Sequence, residues 1–166
     1  MGSEDDSMRG NEKVIAELNA ALKAELTAVS QYLVHAEMCD NWGYQRLAEH
    51  GRAEVLEELG HAQRVTARIL FLDGTPEVNV PLAPEIGANV RAQLEAELRA
   101  EKEALRMYNA AIEVCRAASD EGSRTLFEEL VKDEDSHTDW LEAQLHAIGE
   151  MGIENYLAQQ LYGSGK

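Results

Sequence analysis

Several things are scarce in this chain of 166 residues, and each scarcity excludes something. Lysine and arginine number 15 against 31 aspartates and glutamates, giving a formal charge of −16. That balance argues against partners that present nucleic-acid phosphates or an anionic membrane surface, and it favours cations. No apolar run approaches the roughly 20 residues that span a bilayer. The two cysteines, Cys39 and Cys115, form neither a C-x-x-C pair nor a disulfide framework, which predicts packing thiols in a reducing, cytoplasmic setting. The opening MGSEDDSMRG is acidic where a secretory signal is basic, and Asp6 stands where a myristoylation motif needs Ser or Thr. Residues 1–10 and 163–166 are therefore expected to be disordered tails around one domain, residues 11–162. Three prolines and 5% aromatics leave a chain rich in Ala, Leu and Glu, which favours helix.

Apolar residues recur at helical spacing in four long stretches. The first, about Asn11 to Asp40, carries Val14, Leu18, Leu22, Leu26, Val29 and Leu33, with Gly43 placed to cap its end in the left-handed conformation. The second runs from about Tyr44 to Leu72, and the short turn before it makes the two antiparallel neighbours. A segment with Pro76, Pro81 and Pro84 cannot be helical; its Val78, Val80 and Leu82 suggest that it packs against something. Such a crossover lets the second and third helices run parallel. The third helix is expected over about Gly87 to Ala118. The fourth follows from an N-cap at Ser119-Asp120 to Ile148, and a break flanked by Gly149 and Gly152 precedes a short fifth helix at about Ile153 to Leu161. The fold class is all-α, a four-helix bundle with a long crossover.

Two histidines have a glutamate three positions earlier, Glu58-x-x-His61 and Glu134-x-x-His137, and the two pairs lie 76 positions apart. Residues three apart on a helix share a face, with Cβ atoms about 5–6 Å apart, so carboxylate and imidazole can converge on one metal ion. The same offset of 76 pairs Glu25 with Glu101 and Tyr32 with Tyr108. Each half therefore reads Glu-x6-Tyr and then Glu-x-x-His. One Glu from each of two helices and an E-x-x-H from each of the other two form the di-iron carboxylate ligand set of such bundles. Four carboxylates balance two Fe(II) ions; unbalanced by metal, they repel and some must protonate. The pattern predicts Glu58 and Glu134 as bridges, Glu25 with His61 on one ion, and Glu101 with His137 on the other. Tyr32 and Tyr108, two turns beyond the lone glutamates, are placed to hydrogen-bond a ligand or to donate an electron. His35 is expected to be a satisfied interface histidine, His50 and His146 to be at the surface, and Trp42 and Trp140 to anchor helix ends and interfaces.

At these residues, and further in QYLVHAEMCDNWG, RILFLDGTP, KDEDSHTDWLE and MGIENYL, the chain resembles the bacterioferritins of the ferritin-like superfamily. The resemblance implies a ferritin-like bundle in a hollow cage, a homo-oligomer of 24 subunits, with the fifth helix lining its four-fold channels. It also implies ferroxidase activity, in which a centre of two Fe ions oxidises Fe(II) with O2 or H2O2 and delivers Fe(III) to a stored mineral, with Tyr32 among the catalytic residues. A ferredoxin-type reductant is an implied partner for iron release. Two departures stand out. The family's haem-ligating Met falls on Leu59, so haem b is not expected unless this chain co-assembles with a haem-binding sister subunit. The family's auxiliary inner-surface iron site falls on Ala53 and Glu57. Rubrerythrin-like peroxidases share Glu-x6-Tyr and Glu-x-x-His but commonly carry a C-x-x-C module that is missing here. A di-metal oxygenase is disfavoured by the expectation of little room for a substrate pocket.

Overall fold

A computed structural model describes residues 10–163. Its elements are α1 (Glu12–Trp42), α2 (Gln45–Phe71), α3 (Val90–Ala117), α4 (Glu121–Met151) and a short α5 (Ile153–Ala158). There is no strand among the described residues. The expected tails lie outside the described residues except at Gly10 and Gly163; Gly10 donates its N–H to the Leu72 carbonyl at 2.8 Å.

The helix ends are set by side-chain caps. Asn11 accepts from the N–H groups of Lys13 and Val14, Asn89 from Ala92, and Asp120 from Ser123, each cap contributing about 1 kcal/mol. Asn89 corrects the expected start of α3 at Gly87: the chain is still extended at Asn89 (φ −148°, ψ 169°), and helix begins only after it. At the end of α1, Gly43 adopts φ 88° and returns its N–H to Asp40. The α4–α5 break is at Gly152 alone, with φ 78° and ψ 153°; Gly149 is ordinary helix, and α5 stops at Ala158 rather than Leu161.

Helices α1 and α2 pair closely, as do α3 and α4; α1 also packs on α3, whereas α2 and α4 stand further apart. Two apolar clusters close the ends of the bundle. One gathers Leu18, Val65, Ile69, Ile112, Phe127 and Leu130, and the other Leu47, Leu94, Leu141, Ile148 and Tyr156. Burying each large side chain contributes roughly 1.5–3 kcal/mol, so these clusters stabilise the polar middle between them. The order in which each helix meets the clusters makes α2 parallel to α3, and α1 parallel to α4.

The crossover, residues 72–89, lies along α1 and is held by polar side chains rather than by apolar packing. Asn19 bonds Thr75 and Glu77, Gln31 donates to the Glu85 carbonyl, and Gly87 donates to His35. Val78, Leu82 and Ile86 are exposed and Val80 is half-buried, so Val78 and Leu82 do not pack into this subunit's own core.

Candidate metal centre

Glu25 on α1, Glu58 and His61 on α2, Glu101 on α3, and Glu134 and His137 on α4 all sit at mid-helix, where the period of 3.6 residues turns them to the bundle axis. They fill the belt between the two apolar clusters, with exposures from 1% to 7%. Their donor atoms form two groups, each drawn together within 4.8 Å: Glu25, Glu58, His61 and Glu134, and Glu58, Glu101, Glu134 and His137. Glu58 and Glu134 belong to both.

The imidazoles show what the cluster is shaped for. His61 Nδ1 has Glu58, Glu134 and Glu25 oxygens at 3.1, 3.2 and 3.5 Å. His137 Nδ1 has Glu58, Glu134 and Glu101 oxygens at 3.0, 3.1 and 3.4 Å. A single N–H cannot satisfy three oxygens, and Glu58 Oε1 and Glu134 Oε1 are buried without a hydrogen-bond partner. Convergence of acceptors on a point, with acceptors left over, fits divalent cations. Carboxylate and imidazole donors suit Fe and Mn, and Zn as a surrogate.

The protonation pattern follows from the same crowding. Burial, reinforced by neighbouring carboxylates, pushes Glu25 and Glu101 well above the usual carboxylate range. Burial opposes ionisation of Glu58 and Glu134 too, but hydrogen bonds outweigh it, from both imidazoles and Glu25 on Glu58, and from Glu101 and both imidazoles on Glu134, and hold these two below that range. Burial alone would strip the imidazole protons, yet the surrounding carboxylates outweigh it and raise His61 and His137 far above the ordinary range. Two neutral carboxyls, two carboxylates and two imidazoliums sum to zero charge.

The tyrosines cross between the halves. Tyr32, on α1, donates to Glu101 Oε1 of α3 at 2.7 Å, and Tyr108, on α3, donates to Glu25 Oε1 of α1 at 2.5 Å. Each thus serves the glutamate of the other half, not the one seven positions before it. Outside the belt, His61 Nε2 meets Asp133 at 3.0 Å, and His137 Nε2 meets Glu54 at 3.0 Å and Glu57 at 3.3 Å. Of these three acids the sequence singled out only Glu57, and not as a partner of His137. The offset of 76 also relates Glu57 to Asp133 and could have found them; Glu54 has no such counterpart, since Leu130 stands there.

One histidine expectation is met in part and another is corrected. His35 is satisfied, with Nδ1 2.6 Å from Glu97 and Nε2 accepting from Gly87, but it is buried inside the bundle because the crossover closes over it. His50 is half-buried and stacked on Trp140 at 3.5 Å; burial and His137 lower its pKa to about 4. His146 is exposed, as expected. The expectation of little room is corrected as well. A cavity of about 510 Å³ opens between α1 and α3; Ala24, Ala28 and Ala100 line it, and it reaches Glu25, Glu58, Glu101, Glu134 and Tyr108.

A model of the ferritin-like domain matches residues 15–151. The bacterioferritin of Mycolicibacterium paratuberculosis is 45% identical over 152 residues, covering 92% of this chain and 96% of its own. That of Rhodobacter capsulatus is 42% identical over 149 residues, covering 90% and 92%. The chain belongs to the bacterioferritins. Within that family frame, position 59 lies on the outer face of α2. Leu59 is 50% exposed there, beside Leu56, which is 71% exposed, while Leu33 and Val34 are exposed on α1.

Proposed function

We propose that this bacterioferritin stores iron by oxidising it: Fe(II) is the substrate, the six buried ligands hold it in pairs, and O2 or H2O2 is the oxidant. The observation that carries the reading is the sharing of Glu58 and Glu134 between two donor groups, a geometry built for two ions side by side. Glu58 and Glu134 bridge, Glu25 and His61 complete one ion, and Glu101 and His137 the other. Two adjacent ferrous ions can deliver two electrons together, which avoids release of one-electron oxygen radicals. Tyr32 holds Glu101 in place and is near enough to supply an electron. The small alanines on α1 and α3 keep a short path open from solvent to the carboxylates. Asp133, Glu54 and Glu57 give the oxidised ion an acidic way out past the two imidazoles.

The product accumulates inside a cage of 24 copies. Val78, Leu82 and Ile86 on the crossover, with Leu33, Val34, Leu56 and Leu59 on the α1/α2 face, provide the apolar surface for subunit contacts. The rubrerythrin alternative lacks its electron-entry module, because Cys39 and Cys115 lie on different helices and both are buried. The reading is tested by adding Fe(II) aerobically to chelator-treated protein. A fast oxidation phase that saturates at two Fe per subunit is expected; oxidation at the rate of buffer alone would remove the ferroxidase assignment.

Haem is a separate matter. Leu59 offers no lone pair where the family's thioether binds haem iron, and the exchange of Met for Leu is nearly isosteric, costing under about 1.5 kcal/mol. The homo-oligomer is therefore expected to be haem-free when expressed with ample haem, and Leu59→Met is expected to gain a bis-thioether haem spectrum. Such a spectrum in the parent protein would contradict this. Its absence from both would place the defect elsewhere on the α1/α2 face.

A further inference from the structure

Beyond the six ligands, the belt contains two phenols in matched positions. Tyr32 and Tyr108 are 2% and 1% exposed, come from helices in opposite halves of the chain, and each donate an O–H to one oxygen of a lone glutamate. Neither hydroxyl has another hydrogen-bond partner among the described residues, so each phenol is committed to the centre. Tyr108 also borders the cavity that leads to the carboxylates, and Phe127 packs 5.7 Å from its ring.

Electron counting gives this arrangement its meaning. Full reduction of O2 to water takes four electrons. Two ferrous ions supply two, which stops at H2O2. One phenol raises the total to three, an odd number that leaves the oxygen one electron short. Two phenols bring it to four.

Resting on the ferroxidase reading above, we propose that Tyr108 is a second electron and proton donor, paired with Tyr32, and that the pair lets one O2 be reduced to water in a single encounter. In that step the O–H bond of each phenol breaks, its electron goes to the oxygen, and its proton passes to the hydrogen-bonded carboxylate oxygen and on to product. The balance is O2 + 2 Fe(II) + 2 TyrOH + 2 H⁺ giving 2 Fe(III) + 2 phenoxyl radicals + 2 H2O. Each radical is then reset by one electron from a further Fe(II) and one proton from solvent. The sum is four Fe(II) oxidised per O2, with no peroxide set free.

A phenol is a good donor here because the carboxyl group that can take its proton, once metal has displaced that group's own, is already in place, at 2.5 Å for Tyr108 and 2.7 Å for Tyr32. The sequence relation carries the same point independently. Tyr108 repeats Tyr32 at the offset that relates every ligand of one half to its counterpart, so whatever the first phenol does at Glu101 the second is built to do at Glu25.

The test uses the full-length parent, Tyr108→Phe and Tyr32→Phe, each given two Fe(II) per subunit in aerobic buffer. Zn(II) titration checks each centre first. The parent should release almost no H2O2 and should show, in rapidly frozen samples, a phenoxyl radical signal approaching two spins per subunit. Tyr108→Phe should bind two Zn(II), release about one H2O2 per two Fe(II), and lose at least half of the radical signal. If Tyr108→Phe matches the parent in both peroxide and spins, the proposal is overturned. It is also overturned if that variant no longer binds Zn(II), since Tyr108 then only positions Glu25. A parent with no fast oxidation at all would remove the ferroxidase reading and this one with it; fast oxidation in the parent, with peroxide yield and radical signal unaffected by Tyr108→Phe, would remove this one alone.

Discussion

Replacing Glu58 or Glu134 by Ala is expected to abolish the fast phase of Fe(II) oxidation, slowing it by roughly 100-fold or more. Losing a mere supporting partner of a metal ligand typically costs 10–100-fold, and a shared ligand touches both ions. Each of these carboxylates also neutralises an imidazolium: Glu58 lies 3.1 Å from His61 Nδ1 and 3.0 Å from His137 Nδ1, and Glu134 lies 3.2 and 3.1 Å from the same two atoms. Glu25→Ala removes a ligand from only one group and frees the hydroxyl of Tyr108. Its expected effect is smaller, leaving one ion bound and the paired reaction slow. Stopped-flow absorbance of the growing ferric species measures all three. Oxidation by either Glu58→Ala or Glu134→Ala at the parent rate would mean that the centre has been assigned to the wrong carboxylates.

The second large effect couples metal to protons and to stability. In chelator-treated protein Glu25, Glu101, His61 and His137 each hold a proton more tightly when folded than when unfolded, for the reasons of burial and charge given above. The fold's proton binding then exceeds that of the unfolded chain, so the stability these groups lend is present at low pH and is lost as pH rises. For the imidazoles it is fully present below the unfolded value of about 6.5 and fades above it. Glu58 and Glu134 act in the opposite sense, stabilising above the unfolded carboxylate value and failing on acidification. Two divalent ions must displace all four extra protons, since carboxylate and neutral imidazole are the binding forms. Zn(II), which is not oxidised, should therefore release about four protons per two ions bound. It should also raise the melting temperature by roughly 5–10 °C per ion at a hundredfold excess over its Kd. The gap between Zn-loaded and chelated protein should widen from pH 6 to pH 8. A melt unmoved by saturating Zn(II), or a gap that narrows as pH rises, would contradict a shared buried centre.

Much of this was legible in the sequence, for identifiable reasons. The six clustered side chains announce themselves because Glu-x-x-His is a same-face spacing on a helix and because the offset of 76 repeats it together with Glu25/Glu101 and Tyr32/Tyr108. Gly43 marked the end of α1, since a left-handed residue is needed there. What escaped depends on which helices become neighbours. Tyr108 reaches Glu25 only because α1 packs on α3, a contact that no local pattern records. His35 is interior only because the crossover lies over it and Gly87 supplies its donor. The apolar Val78 and Leu82 suggested packing against something, and apolarity alone does not say whether a residue faces its own core or another chain. The cavity went unseen for a similar reason: alanines favour helix wherever they stand, and they hold space open only when two such faces oppose each other.

The central claim is that two ions share Glu58 and Glu134 inside one subunit. Crystals soaked in Fe(II) without oxygen, with diffraction recorded on both sides of the iron absorption edge, test it most directly. Two anomalous peaks per subunit are predicted, roughly 3.5–4 Å apart, with Glu58 and Glu134 each reaching both, Glu25 and His61 on one, and Glu101 and His137 on the other. A single peak, or two peaks too far apart for a carboxylate to bridge, would contradict it.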